Sequence, residues 1–103
     1  MINPEQELNH VPTKEWHRVI QMYAKKSNYK RALDIGTASG LSGWSIAMNG
    51  TGKIVSVDVK SQRKARNLAK HCGYIDRITF FGEGSEKFFV QNSDMFDLII
   101  VDG

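Results

Sequence analysis

Cysteine is almost missing from this chain. Cys72 is the single one in 103 residues, so no disulfide can form within it. Its neighbours His71 and Gly73 offer no metal-ligand spacing, and a reduced structural thiol is the expectation. Long apolar runs are also missing. The longest aliphatic stretch, Leu98-Ile99-Ile100-Val101, is far too short to span a bilayer. The first residues, Met1-Ile2-Asn3-Pro4-Glu5-Gln6-Glu7, have neither a basic region nor an apolar core, so no signal peptide is read there. A reducing, cytoplasmic setting without a membrane partner is the expectation. A strong excess of one charge is lacking too. Fourteen basic and eleven acidic residues leave a net charge of +3, which does not by itself imply nucleic acid. Lys53, Lys60, Arg63, Lys64, Arg66 and Lys70 do gather positive charge, mostly on one expected helix. A solvated face is the reading there, in preference to an RNA-facing patch. No repeat, linker or low-complexity tract appears.

What is present is ordinary globular material: 41% apolar and 24% charged residues, enough for one domain. A chain of this size buries roughly 60–65% of its unfolded surface, so one modest core is expected. Asn3 caps a first short helix or turn with Pro4 at its first position, and Thr13 caps the next helix. Trp16, Val19, Ile20 and Tyr23 make an apolar stripe at helical spacing, expected to pack that helix on a sheet. His10 and His17 are read as surface or packing residues. Strands are expected over 32–35, 54–57, 77–81 and 96–101. Helices are expected over 39–48, 61–71 and 85–90, with Asn49-Gly50-Thr51-Gly52 a strong stop and Gly73 just past a helix end. Residues 1–28 form an N-terminal helical segment and 29–103 the alternating core. Such alternation predicts an α/β, Rossmann-like, three-layer αβα fold with a mostly parallel sheet.

In such sheets ligands bind beyond the carboxyl ends of the strands. Asp34 with Gly36, then Asp58, Glu83 and Asp102, all fall at or near those ends. Leu33-Asp34-Ile35-Gly36-Thr37-Ala38-Ser39-Gly40 is a strand breaking into a glycine turn and a helix. Gly36 and Gly40 have no Cβ, so a ligand can lie against the main chain. Asp58, closing the next strand, stands where a ribose would be held. Two cofactor classes use such a pattern. A dinucleotide needs Gly-x-Gly-x-x-Gly for its pyrophosphate, but the second and third positions here are Ala38 and Leu41. The acidic Asp34 beside the turn suits an ammonium and a sulfonium better than phosphates. S-adenosylmethionine is therefore favoured over NAD.

Leu33-Asp34-Ile35-Gly36-Thr37-Ala38-Ser39-Gly40-Leu41-Ser42 resembles motif I of the class I S-adenosylmethionine-dependent methyltransferases. The resemblance continues through Ile54-Val55-Ser56-Val57-Asp58 and Ile78-Thr79-Phe80-Phe81-Gly82-Glu83-Gly84-Ser85 to Phe96-Asp97-Leu98-Ile99-Ile100-Val101-Asp102-Gly103. The branch it is most similar to is that of the small-molecule O-methyltransferases of the catechol and caffeoyl-CoA type and their bacterial relatives. It covers about residues 14 to 103. The resemblance implies a cofactor, S-adenosyl-L-methionine, and a small-molecule acceptor. It implies that Gly36, Thr37 and Gly40 shape the loop around the methionyl part. Asp34 would face the ammonium, and the Ser42 hydroxyl would meet the cofactor carboxylate. Asp58 would accept both ribose hydroxyls, and Val59 would lie on the adenine. Glu83, Gly84 and Ser85 would contact the base. Asp102 would be a ligand of Mg2+ or another divalent metal, or a catalytic residue on the acceptor side; both roles stay open.

The family's sheet has seven strands, ordered 3-2-1-4-5-7-6. This chain supplies the first four, with order 3-2-1-4, and the acceptor half would lie beyond Gly103. A fragment, inactive by itself, is the expectation. Strand four would then be an exposed apolar edge open to a second copy or another chain. An enzyme and a non-catalytic cofactor-binding module both remain open, with an NAD-binding oxidoreductase piece as the remote alternative.

Overall fold

A computed structural model describes residues 3–11, 14–36, 39–82 and 96–101. The chain order is α1 (Pro4–Leu8), α2 (Lys14–Ser27), β1 (Arg31–Ile35), α3 (Leu41–Ala47), β2 (Lys53–Val57), α4 (Arg63–Cys72), β3 (Ile78–Phe81) and β4 (Leu98–Val101). A 3₁₀ turn at Ile75–Arg77, absent from the sequence expectation, leads into β3. All three strand pairings are parallel, and the order is β3-β2-β1-β4. The registers set Asp34 opposite Ser56, and Ile35 opposite both Val57 and Val101. The expected Rossmann-like parallel sheet and its strand order therefore hold, with the described helices packed on one face of it. Expected helix 85–90 and the Thr13 cap lie outside the described residues.

Sequence chemistry explains the elements. Asn3 caps α1 by accepting from the Gln6 N–H at 3.1 Å, with Pro4 in the first turn. In α4 the buried residues are Ala65, Leu68 and Ala69, a single stripe. The helix stops at Gly73, whose φ of +82° lets the Tyr74 N–H turn back to the Ala69 carbonyl at 3.0 Å. Every residue of α3 is buried. It lies in the helical layer between α2 and α4, against one sheet face. Ala32, Ile54, Ile78 and Ile100 from the four strands meet Ile20, Ala24, Ile46 and Leu68 there. On the other face Leu33 and Val57 are buried beside Ile35, Val55, Phe81 and Phe96. β4 is the outer strand of the described sheet, and its Ile99 and Val101 are 52% and 61% exposed.

One expectation is corrected. The stripe of α2 does not pack as a unit on the sheet. His17, Ile20 and Ala24 are its buried residues, while Trp16 and Tyr23 are exposed. The helix packs chiefly on α3, which rotates its buried line away from the two large aromatics. Small Ala24 permits a closer approach than Tyr23 would. Helix 39–48 is also shorter than expected, because Gly40 is the cap of α3 and not part of it.

The end of the sheet where the strands begin is closed by side chains. Arg77 donates from Nε to the Gly52 carbonyl (3.0 Å) and from Nη1 to the Ala47 carbonyl (3.1 Å). Its Nη2 reaches the Gly50 carbonyl (3.0 Å) and the Tyr29 hydroxyl (3.1 Å). Tyr29 in turn donates to the Ile46 carbonyl at 2.7 Å. Burial raises the Tyr29 pKa, and the Arg77 guanidinium partly offsets that rise. Asp97 ties β4 to β1 at the same end, accepting from the Lys30 and Arg31 N–H groups at 2.7 and 3.1 Å.

Candidate cofactor site

Parallel strands bring their carboxyl ends to one edge, and the chemistry gathers there. The ladder runs one residue past each strand. The Gly36 N–H donates to the Val57 carbonyl at 2.8 Å, and the Asp58 N–H to the Phe81 carbonyl at 3.0 Å. The start of the glycine turn is thereby held beside the residue that leads into Asp58. Gly36 and Gly40 both have positive φ, +90° and +96°. Gly40 has a second reason to be glycine. A Cβ there would lie 2.8 Å from the Ala65 Cα, so α4 crosses α3 directly over it. This packing role comes in addition to the turn and ligand approach that the motif implies, and the sequence carries no signal of it.

Asp58 is half-buried and its Oδ1 accepts from the Lys60 N–H at 3.0 Å, a local turn that orients the carboxylate. Val59, next to it, is 69% exposed. At the base of this loop Gln62 is buried and its Nε2 approaches the Ser56 carbonyl at 3.4 Å. The Ser61 hydroxyl accepts from the Arg63 N–H at 3.4 Å, but the cap of α4 is Gln62 and not Ser61, so the helix starts later than the expected 61.

Asp34 and Ser42 come together, but not at the surface. Asp34 is fully buried. Its carboxylate accepts from Ser42 Oγ at 3.0 and 3.1 Å and from Ser56 Oγ at 3.0 Å. Ser42 has one hydroxyl proton, and it is used on Asp34. The family resemblance implies that both side chains face a ligand. The structure joins them to each other one layer beneath the turn. A buried carboxylate needs such donors, because its desolvation is costly. Nearby Tyr74 is buried too, and burial, with the charges of Cys72 and Asp34, holds its phenol well above the usual range.

Ser56 and Gln62 were missed from sequence. Ser56 had a signal: it is the lone polar residue within Ile54-Val55-Ser56-Val57, and a buried polar side chain requires a partner. Gln62 had none. Thr37, Glu83, Gly84, Ser85 and Asp102 lie outside the described residues. Among the described residues no group of three or more His, Cys, Asp or Glu gathers to hold a metal. Among them also, no helix is long and apolar enough to cross a membrane.

No protein-family model matches the chain. No curated protein matches it either. Solved structures do. An O-methyltransferase from Bacillus cereus in complex with SAH superposes with a TM-score of 0.80 at 20% identity, covering 91% of this chain and 46% of that one. The chain shares the fold of about half of that protein. An SAH-bound methyltransferase of Podospora anserina gives a TM-score of 0.79 at 21% identity, over 100% of this chain and 51% of its own. A putative caffeoyl-CoA O-methyltransferase from Staphylococcus aureus gives 0.72 at 21% identity, over 90% and 47%. The chain thus spans about half the length of the methyltransferases it matches.

Proposed function

We propose that this chain is the cofactor-binding half of an S-adenosyl-L-methionine-dependent methyltransferase acting on a hydroxyl of a small molecule. The observation that carries the reading is the juxtaposition of the Gly36 turn with Asp58 at the carboxyl edge of a parallel sheet. Methyltransferases of the same fold, bound to SAH, support it. The residues present suit this cofactor and not a dinucleotide, since Ala38 and Leu41 stand where a pyrophosphate loop needs glycine.

Each residue then has a task. Asp58, already oriented by the Lys60 N–H, accepts the two ribose hydroxyls. Exposed Val59 covers the adenine, with Glu83, Gly84 and Ser85 assigned to the rest of the base. Gly36, Thr37 and Gly40 form the wall for the methionyl part. At the first turn of α3 the backbone N–H groups, that of Ser42 included, receive the carboxylate. Asp34 attracts the ammonium through its field, because its oxygens are buried under Ser42 and Ser56. The cofactor, when bound, supplies a methyl group on a sulfonium, and transfer is a displacement that depends on alignment.

Asp102 is assigned to the acceptor side. A divalent metal such as Mg2+ there would lower the acceptor's pKa. The described residues supply no set of ligands for it, and no step is derived through it. The exposed β4 residues Ile99 and Val101 are where the acceptor half or another chain would pack.

Calorimetric titration with S-adenosylhomocysteine tests the reading, with NAD and the Asp58→Ala variant alongside. Saturable binding to the wild-type chain, weakened about tenfold or more by Asp58→Ala, is expected. A folded chain that ignores S-adenosylhomocysteine, or prefers NAD, overturns it.

A further inference from the structure

Three segments deliver the proposed cofactor residues. β1 leads to Gly36, α3 starts after Gly40, and β2 leads to Asp58. Each carries, two residues from that point, one member of a buried polar cluster: Asp34, Ser42 and Ser56. Ser56 is fully buried and directly opposite Asp34 in the sheet register. Its hydroxyl donates to Asp34 Oδ2 at 3.0 Å, while Ser42 approaches the same carboxylate from α3. The Ser56 carbonyl receives the Gln62 amide at the base of the Asp58 loop.

We propose that Ser56 is a positioning residue for cofactor binding, holding α3 and the glycine turn in register with the Asp58 loop through the Asp34 carboxylate. This rests on the cofactor reading above. Backbone ladders fix β1 against β2, but α3 has no ladder to either strand. Apolar packing is non-directional and leaves a helix free to slide or turn by a fraction of an ångström. A carboxylate shared by two hydroxyls is directional, and charge-assisted bonds are the stronger kind. Without the Ser56 hydroxyl, Oδ2 loses a donor that fixes the plane of the carboxylate. Ser42, and with it the first turn of α3, then follows Asp34 rather than the sheet.

Ser56→Thr and Ser56→Val test this. The two side chains have nearly the same shape and differ in the hydroxyl. The threonine variant is expected to bind S-adenosylhomocysteine within about threefold of wild type, and the valine variant about tenfold or more weaker. In ¹⁵N spectra of the ligand-free chains, the Gly40 and Ser42 amides should move in the valine variant and stay near wild type in the threonine one. Equal affinities, or amides that move alike in both, overturn the proposal. Should the valine variant fail to fold, Ser56→Ala replaces it against the same threonine reference. Wild type in the same titration tests the cofactor reading independently. If wild type does not bind, that reading fails, while the ligand-free spectra still decide whether Ser56 couples the strand to α3.

Discussion

Gly40→Ala should damage the fold before any ligand is present. Gly73→Ala provides the matched comparison. Both glycines have positive φ, +96° and +82°, where an L-residue is strained. That strain costs about 1–2 kcal/mol at either position. The surroundings differ. A Cβ at Gly73 meets nothing within 4 Å, whereas one at Gly40 would lie 2.8 Å from Ala65 Cα and 3.0 Å from its Cβ. Backbone cannot step aside as a flexible side chain can, so α4 must shift as a body. Overpacking of that kind adds about 1–3 kcal/mol. The expected losses are about 1–2 kcal/mol for Gly73→Ala and about 2–5 kcal/mol for Gly40→Ala. Urea denaturation of the ligand-free chains reads both as midpoints at fixed slope. By melting, each kcal/mol corresponds to about 4–8 °C in a domain of this size. Ala65→Gly in the Gly40→Ala background should recover part of the extra loss, since it removes the Cβ contact and not the Cα one. Equal losses at Gly40 and Gly73 would refute the packing argument and return Gly40 to a purely ligand-facing role.

Two further predictions concern the opposite end of the sheet. Arg77→Ala removes four hydrogen bonds to three carbonyls and the Tyr29 hydroxyl. It should cost about 2–4 kcal/mol by urea denaturation, because the carbonyls are only partly open to replacement by water. Where the variant is folded, its affinity for S-adenosylhomocysteine should be unchanged, and a selective loss of affinity would contradict the placement of the site. Asp97 has its pKa lowered from 3.8, chiefly by the N–H groups of Lys30 and Arg31. A depressed folded pKa means stability that is present above 3.8 and lost as the pH falls through the lower folded value. Asp97→Asn should therefore be less stable than wild type at neutral pH and converge with it in acid. Parallel pH–stability curves would show that the carboxylate charge contributes nothing.

The fold was legible because its signals are local and repeated. Each strand is a short apolar run closed by a turn residue, and each helix of the core follows within a few residues. Alternation of that kind admits few topologies. The stops at Asn49-Gly50-Thr51-Gly52 and Gly73 also come from single-residue backbone chemistry, which does not depend on distant parts of the chain. The outer face of α2 was not legible. Trp16, Val19, Ile20 and Tyr23 satisfy a helical period, but so does the narrower line His17, Ile20 and Ala24. Which line is buried depends on α3, whose small residues lie twenty positions further on. Arg77 is illegible for the same reason. Its four acceptors are carbonyls and one phenol brought together by the tertiary fold.

The candidate site divides along a similar line. Residue types that meet a ligand through the backbone or through an exposed strand end, such as Gly36 and Asp58, are found by motif and spacing. Residues that hold those groups in place are found only when a polar side chain must be accounted for inside an apolar strand. Asp34 and Ser56 are both of that kind, one in each of two adjacent strands, and parallel pairing sets them opposite each other. Read separately, Asp34 was sent to the ligand and Ser56 passed over. Read as a pair, two buried polar residues on neighbouring central strands predict a mutual hydrogen bond, because neither has water to turn to. That inference needs only the strand order and a register, and the resemblance to the methyltransferase family implies the first of them.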